Sequence, residues 1–341
     1  MRVSLLFNDI DRDKSKVANL SMDLQQQIIE AEKRIRPYLR ETPLEYSYPL
    51  NKMSGCEVYL KLENLQITGS FKARGALNKI LSLKDSSAKI VTASTGNHGL
   101  GVANALSVVK KNGTIYLPHG ASAAKVEAIK MRGVPVEFYG ENCEETERYV
   151  RKLSETTHQI YVSPYNDEDV MAGQGTIGVE LLRQLPDVHS VFISVGGGGL
   201  IGGIASYLKE ANPKIEVIGC LPENAPVMLE CIKAGKIIEV PEKPTLSDAT
   251  AGGIEAGAIT FEICQQCVDE YVLVTENEIA EAMRLVLKHH HLIIEGSAGV
   301  ALAALLKNRA KYKGKKVAVL ICGGNVSETV LKNLICSSTH P

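Results

Sequence analysis

The 341-residue sequence contains no Trp, and Phe, Trp and Tyr together make up only 5% of it, too few for a platform on which nucleic-acid bases stack. It lacks a charge bias as well: 38 basic residues face 39 acidic ones, a net charge of -1, which leaves no basic field for a phosphate backbone. No apolar stretch approaches the roughly 20 residues of a membrane span. The first residues turn acidic at Asp9, too soon for the apolar core of a signal peptide. Eight cysteines in a chain this long fall well below the density of a disulfide scaffold, so a reducing, cytoplasmic location is expected. Neither a repeat nor a low-complexity tract is present. The expected partners are a small molecule and other copies of the same chain, with no nucleic acid and no membrane.

What is there is core material and alternation. Hydrophobic residues make up 45% of the chain, and its length predicts roughly two domains of about 150 residues each. Residues 1–22 are polar, with the charge run Asp9-Ile10-Asp11-Arg12-Asp13-Lys14, and read as a loosely ordered arm. A helical pattern follows over 23–36, apolar at Leu24, Ile28, Ile29 and Ile35. Short apolar runs at 58–62, 89–93, 114–117, 136–139, 159–162, 188–193, 216–220, 270–274 and 316–321 then alternate with longer helical patterns. Near-continuous apolar strands separated by helices predict parallel sheets covered on both faces, an α/β fold. The stretch 222–244 is the longest expected irregular region and contains only a short helical stretch.

Three junctions could carry chemistry. At Thr68-Gly69-Ser70-Phe71-Lys72-Ala73-Arg74 a strand turns into a helix, with Gly69 relaxing the turn and Ser70 placed to cap. An amine fixed there and partly desolvated would have a lowered pKa and could attack a carbonyl to form a Schiff base. A solvated lysine in a first helical turn is the plainer reading of Lys72, and two later glycine turns weigh against it. Ser94-Thr95-Gly96-Asn97-His98-Gly99 stands between a strand and a helix, where free amides make an anion pocket suited to a carboxylate. A plain Ser-Thr capped turn explains it equally well. Val195-Gly196-Gly197-Gly198-Gly199-Leu200 lets backbone amides converge on a phosphate at a helix start. Gly197 to Gly202 also satisfies G-x-G-x-x-G, with Glu223 about 20 residues on, so a nicotinamide-dinucleotide fold competes.

The last strong strand ends at Cys322-Gly323-Gly324-Asn325, on the edge that faces the ligand crevice of a parallel sheet. Cys322 is either a buried apolar cysteine or a neutral thiol offered to a ring nitrogen. Cys264 and Cys267 have zinc-like spacing without a second pair and read as helix-face thiols; His289-His290-His291 reads as a solvated helix end. Ala172-Gly173-Gln174-Gly175-Thr176 is expected to open a helix over 177–184 and to serve packing.

Taken together, Ser70-Phe71-Lys72-Ala73-Arg74-Gly75-Ala76, Ser94-Thr95-Gly96-Asn97-His98-Gly99, Gly196 to Gly199 and Cys322-Gly323-Gly324-Asn325 resemble the serine/threonine dehydratase and serine racemase group. These are pyridoxal-phosphate enzymes of fold type II, and the likeness runs over residues 23–334. The resemblance implies two domains, each a mostly parallel twisted sheet flanked by helices. The larger would combine 23–88 with 167–335, the smaller and mobile one would be 89–166, and 336–341 would be a tail. It implies that Lys72 holds pyridoxal 5'-phosphate as a Schiff base beside Phe71, and that Gly196, Gly197, Gly198 and Gly199 bind its phosphate. Asn97 would contact the ring hydroxyl and Cys322 the ring nitrogen. Ser94, Thr95, Gly96, Asn97 and His98 would hold the substrate carboxylate, with no metal in the site. A homodimer is expected on the same ground.

The implied chemistry is β-elimination. Lys72, freed by the substrate amine, removes the Cα proton as general base, and the cofactor accepts the charge. A neutral thiol at the ring nitrogen makes the ring a modest electron sink, which favours prompt loss of the β-hydroxyl. Departures from the racemases agree. Thr95 stands where they carry a serine as second acid/base, Leu221 and Val227 where they carry metal-binding acids, and Ile67 where the animal racemase carries an ATP-contacting lysine. A substrate-side arginine of the racemase falls near Thr146, and Pro164-Tyr165-Asn166-Asp167 looks like the threonine dehydratase pattern. The expected function is conversion of L-serine, L-threonine or a related β-hydroxy amino acid to a 2-oxo acid and ammonia. A racemase or β-replacement synthase of the same fold, a nicotinamide-dependent dehydrogenase and a non-catalytic relative are the alternatives.

Overall fold

The computed structural model describes residues 14–83 and 87–336, with side chains from Asp23 onward. Its strands are β1 (Leu44–Tyr46), β2 (Glu57–Leu62), β3 (Ile90–Ala93), β4 (Gly113–Leu117), β5 (Val136–Phe138), β6 (Ile160–Tyr161), β7 (Ser190–Ser194), β8 (Glu216–Pro222), β9 (Glu270–Val274) and β10 (Lys316–Ile321). They form two sheets, ordered β1-β2-β10-β7-β8-β9 and β5-β4-β3-β6. All pairings are parallel except β1 on β2. The apolar runs find their burial here: every residue of β3, β4 and β7 is buried, as strands covered by helices on both faces must be. In the large core Phe192 packs edge-on against Tyr312, ring centroids 5.1 Å apart, a burial that contributes roughly 1.5–3 kcal/mol.

The helix Lys72–Ser82 is shared between the two sheets' helical layers, packing on Asn97–Val109 and on Glu168–Gln184. Glycines make this contact possible. A Cβ on Gly101 would lie 3.0 Å from the Lys72 carbonyl oxygen, and one on Gly173 would lie 2.6 Å from Gly75 Cα. Glu180 on Glu168–Gln184 sits under the same helix and accepts from Arg74 Nη1 at 2.8 Å and Nη2 at 2.9 Å. Arg74 also grips Glu63 through Nε and Nη2, both at 2.8 Å, and Lys61 Nζ donates to Glu180 at 2.6 Å. This buried network of two acids and two bases ties the start of the lysine helix to β2 and the segment after it. Arg74 and Lys61 hold the Glu180 carboxyl down at about 2 against the opposing effect of burial.

The structure departs from the sequence expectations at several points. The first helix, Lys14–Ile35, already includes residues expected in the polar arm, while residues 1–13 and 337–341 lie outside the described part. Ala172 to Thr176 lie inside Glu168–Gln184, because Asp167 Oδ1 accepts from Val170 N at 3.0 Å and starts the helix earlier. The short helical stretch expected within 222–244 is the helix Val227–Ala234, ended by Gly235 at φ 68°, and what differs is the irregular run, which is 235–258.

Candidate active site

The chain turns from β2, β3, β7 and β10 at their C-terminal ends, and three of the four turns open a helix. Lys72, Asn97 and Gly199 each stand at the first position of one, so three sets of helix N-terminal amides lie beyond the C-terminal ends of these strands. The fourth strand leads into Cys322-Gly323-Gly324-Asn325, which is stitched to the lysine turn. Phe71 N donates to the Cys322 carbonyl at 3.0 Å, Gly324 N to the Gly69 carbonyl at 2.9 Å, and Ser70 pairs with Gly323. Gly69 has φ 72°, and a Cβ there would sit 2.5 Å from Asn325 Oδ1, so both the turn and the stitch require glycine. Ser70 does not cap the helix as expected. The N-cap is Phe71, without a side-chain cap, and the buried Ser70 hydroxyl has no hydrogen-bond partner among the described residues.

Lys72 Nζ donates to the Pro164 carbonyl at 2.6 Å and lies 5.3 Å from the centroid of the Phe71 ring. Burial of this amine lowers its pKa to about 8, opposed by the distributed charge of Cys322, Glu295 and Glu147. No carboxylate bonds to it directly, so desolvation prevails.

The tetraglycine loop is held in a cage. A Cβ on Gly196 would fall 2.9 Å from Thr250 Cα, and one on Gly197 would fall 2.5 Å from the Tyr165 ring. Gly198 has φ 88°, and Thr260 Oγ1 donates to the Gly197 carbonyl at 2.7 Å. The Gly198 carbonyl accepts from Gly202 N at 2.8 Å and from Cys264 Sγ at 3.9 Å, and none of the Gly196, Gly197 and Gly198 amides makes a backbone hydrogen bond among the described residues. The competing dinucleotide reading needs Glu223 to face this loop. Glu223 instead lies beside Lys307 at 3.6 Å with a largely exposed side chain.

Residues 94–98 separate into two kinds. Gly96 is open, with nothing within 4 Å of where a Cβ would stand, and Ser94 Oγ accepts from Gly96 N at 3.2 Å. Asn97, His98 and Gly99 precede the first intrahelical bond, from Leu100 N to the Gly96 carbonyl. The ring of His98 turns inward: Nε2 lies 2.9 Å from the Val162 carbonyl and 3.0 Å from Thr92 Oγ1. Burial, with the Lys72 charge, lowers its pKa to about 3, so it is a neutral core imidazole and offers the crevice only its backbone amide. Thr146 is spent as well, donating to the Tyr139 carbonyl at 2.7 Å.

Glu295 is the residue that sequence reasoning did not single out. It caps the helix Gly296–Asn308, is 3% exposed, and accepts from Asn97 Nδ2 at 3.1 and 2.9 Å through its two oxygens. Cys322 Sγ lies 3.8 Å from its Oε1 and 3.6 Å from Ser194 Oγ. Burial pushes the Cys322 thiol up, and the neighbouring Glu295 adds to that, so the sulfur is a neutral thiol. The signal in the sequence was a single carboxylate between the apolar Leu292-Ile293-Ile294 and the small residues Gly296-Ser297-Ala298-Gly299. Asn325 completes the set, donating to Asn97 Oδ1 at 2.7 Å and to the Thr68 carbonyl at 2.9 Å.

An L-threonine ammonia-lyase of Thermotoga maritima is 41% identical over 310 residues, 90% of this chain and 77% of that protein. The processed form of threonine deaminase isoform 2 from Solanum lycopersicum superposes with a TM-score of 0.92 at 31% identity, covering 100% of this chain and 98% of that one. Maize serine racemase superposes with a TM-score of 0.85 at 31% identity, covering 92% and 96%. The family model described as pyridoxal-phosphate dependent enzyme matches residues 35–323, which spans the lysine turn, both glycine turns and the Cys322 edge, and the chain belongs to that family.

Proposed function

We propose that this protein is a pyridoxal-phosphate dependent ammonia-lyase that converts L-serine, L-threonine or a related β-hydroxy amino acid to a 2-oxo acid and ammonia. The observation that carries the reading is the amine of Lys72, desolvated at the meeting point of three helix N-termini. The residues present fit the cofactor. The caged, side-chain-free Gly196 to Gly199 loop leaves amides for a dianionic phosphate, Lys72 is an attachment point for an aldehyde, and Asn97 and Cys322 supply a donor amide and a neutral thiol for the ring. Bound there, pyridoxal phosphate supplies an electron sink for the charge left on Cα.

The chain's own residues do the rest. The amides of Gly96 to His98 receive the substrate carboxylate and fix Cα. Lys72, with a pKa near the working pH, takes the Cα proton. The Cα–H and Cβ–O bonds break, the electron pair on Cα forms the Cα–Cβ double bond, and the hydroxide leaves as water with the proton that Lys72 took; the enamine set free takes up a proton at Cβ to become an imine, which one water hydrolyses to the 2-oxo acid and ammonia. The four-stranded unit is proposed as the mobile domain that closes over the substrate and excludes water. Arg151 on its helix Cys143–Thr157 reaches across to Glu255 at 2.7 Å, in line with such a closure. The setting proposed is a cytoplasmic homodimer.

Ammonia release from a panel of L- and D-hydroxy amino acids, with wild type and Lys72→Ala in parallel, tests the function. Release from L-serine or L-threonine, with loss of both visible absorption and turnover in the variant, is the expected result. Inverted serine without pyruvate, or a variant that keeps colour and activity, overturns it.

A further inference from the structure

The mechanism above leaves one buried acid unused. Glu295 has no ion-pair partner among the described residues. Its carboxylate meets the Asn97 amide and the Cys322 thiol, and its own N–H donates to the Gly323 carbonyl at 3.1 Å. The charged groups that act on it are Lys72, whose amine it attracts, and Asp248, which opposes its ionisation; Cys322 and Asn325 add weaker hydrogen bonds. The space is built around the acid: a Cβ on Gly323 would lie 2.6 Å from Oε1, so the strand edge at this point admits only glycine.

The contacts of Asn97 show what the acid does. Its Oδ1 is already taken by Asn325 Nδ2, and both Glu295 oxygens accept from Nδ2. An ionised carboxylate can only accept, so it holds the amide in one of its two orientations, with Nδ2 toward Glu295 and Oδ1 toward Asn325. It likewise requires Cys322 to keep its proton if that contact is to be a hydrogen bond.

We propose that Glu295 is a positioning residue of the reaction, acting through Asn97 and Cys322, and that its ionisation state sets whether these two groups present one fixed pattern of donors to the cofactor ring. The inference rests on the reading of Asn97 and Cys322 as ring contacts. Loss of the negative charge turns Glu295 from acceptor to donor; it can then bond to Asn97 Oδ1 or to the sulfur, and the single arrangement is lost. Burial raises the pKa of this carboxyl to about 7, with the Asn97 bond pulling the other way, so the change falls within the working range of the enzyme.

The test uses the cofactor-loaded enzyme, wild type, Glu295→Gln and Asn97→Asp, with visible absorption of the bound cofactor and kcat/KM followed from about pH 5.5 to about pH 8.5, bracketing the expected transition. Wild type should show a one-proton transition near neutrality in both. Glu295→Gln, which imitates the protonated acid without titrating, should lose that transition and lower kcat by on the order of tenfold, the weight of one charge-assisted hydrogen bond. Asn97→Asp sets a second carboxylate against the first and should move the transition to higher pH. A transition that survives Glu295→Gln unmoved, or stays in place in Asn97→Asp, overturns the proposal. Urea unfolding of the apo forms separates this from failure of the functional reading. The stability of wild type relative to Glu295→Gln should fall as the pH rises from about 4.5 to about 7 and then level off, whether or not the protein takes up cofactor, and a difference that does not change with pH refutes the role of the buried acid.

Discussion

Removing the amine of Lys72, the base proposed above, should make the apo form more stable near neutral pH. In the unfolded chain the Lys72 amine titrates at 10.5, whereas in the fold burial brings it to about 8. Between those values the unfolded state holds a proton that the folded state has lost, so stability rises with pH across the window. Below about 8 the penalty is fully present, and at roughly 1.4 kcal/mol per pH unit it comes to about 3 kcal/mol. Part of the side chain remains exposed, and solvent screening makes that figure an upper bound. Lys72→Met keeps the apolar stem and removes the charge, but forfeits the hydrogen bond to the Pro164 carbonyl, worth about 1 kcal/mol. The net expectation near pH 7 is a variant about 1–2 kcal/mol more stable than wild type, from the charge penalty less the lost bond. Above about pH 10.5, where neither state is charged, only the lost bond remains and the variant should be about 1 kcal/mol less stable. Urea unfolding of the two apo proteins at both pH values gives the difference, because titrating groups that do not feel the Lys72 charge cancel between them, and His98, which does feel it, is neutral in the fold at both. A stability difference that keeps its sign and size from one pH to the other would refute the reasoning.

Two further outcomes follow from packing and charge. Glu180→Ala leaves Arg74 and Lys61 buried against a single acid and should cost about 3–5 kcal/mol in equilibrium unfolding. The depressed carboxyl of Glu180 contributes stability that is present above its unfolded pKa of 4.5 and is lost as the pH falls towards about 2, so Glu180→Gln should also flatten the acid limb of the stability curve. Gly198→Ala puts a Cβ at φ 88° and 2.9 Å from Met228 Cε, a cost of roughly 2–4 kcal/mol from backbone and crowding together. Its readouts are unfolding of the apo form and cofactor titration, and an unchanged affinity would argue that the loop does not cradle the phosphate.

Much of the fold could be read because its signals are local. A parallel strand buried on both faces needs a short apolar run, and a helix start needs a small or polar turn, so the positions of β2, β3, β7 and β10 and the turns after them follow from neighbouring residues. The helix starts were less legible where caps decided them: Asp167 begins Glu168–Gln184 before the glycines that looked like its opening, and Phe71 rather than Ser70 precedes Lys72. Lys72 stood out because its amine sits at a strand-to-helix turn in a sequence with two further glycine turns of the kind suited to anions.

The order of strands, turns and helices, together with the identity of the amine and of the glycine loops, was therefore written in runs of a few adjacent residues. Which groups those elements bring face to face was decided by the tertiary structure alone. His98 and Asn97 are neighbours in the chain, yet one ring is buried against Val162 while the other side chain meets Glu295, 198 residues away. Burial and charge compensation depend on such distant pairs, and a desolvated carboxylate or amine has no signature until the chain has closed around it.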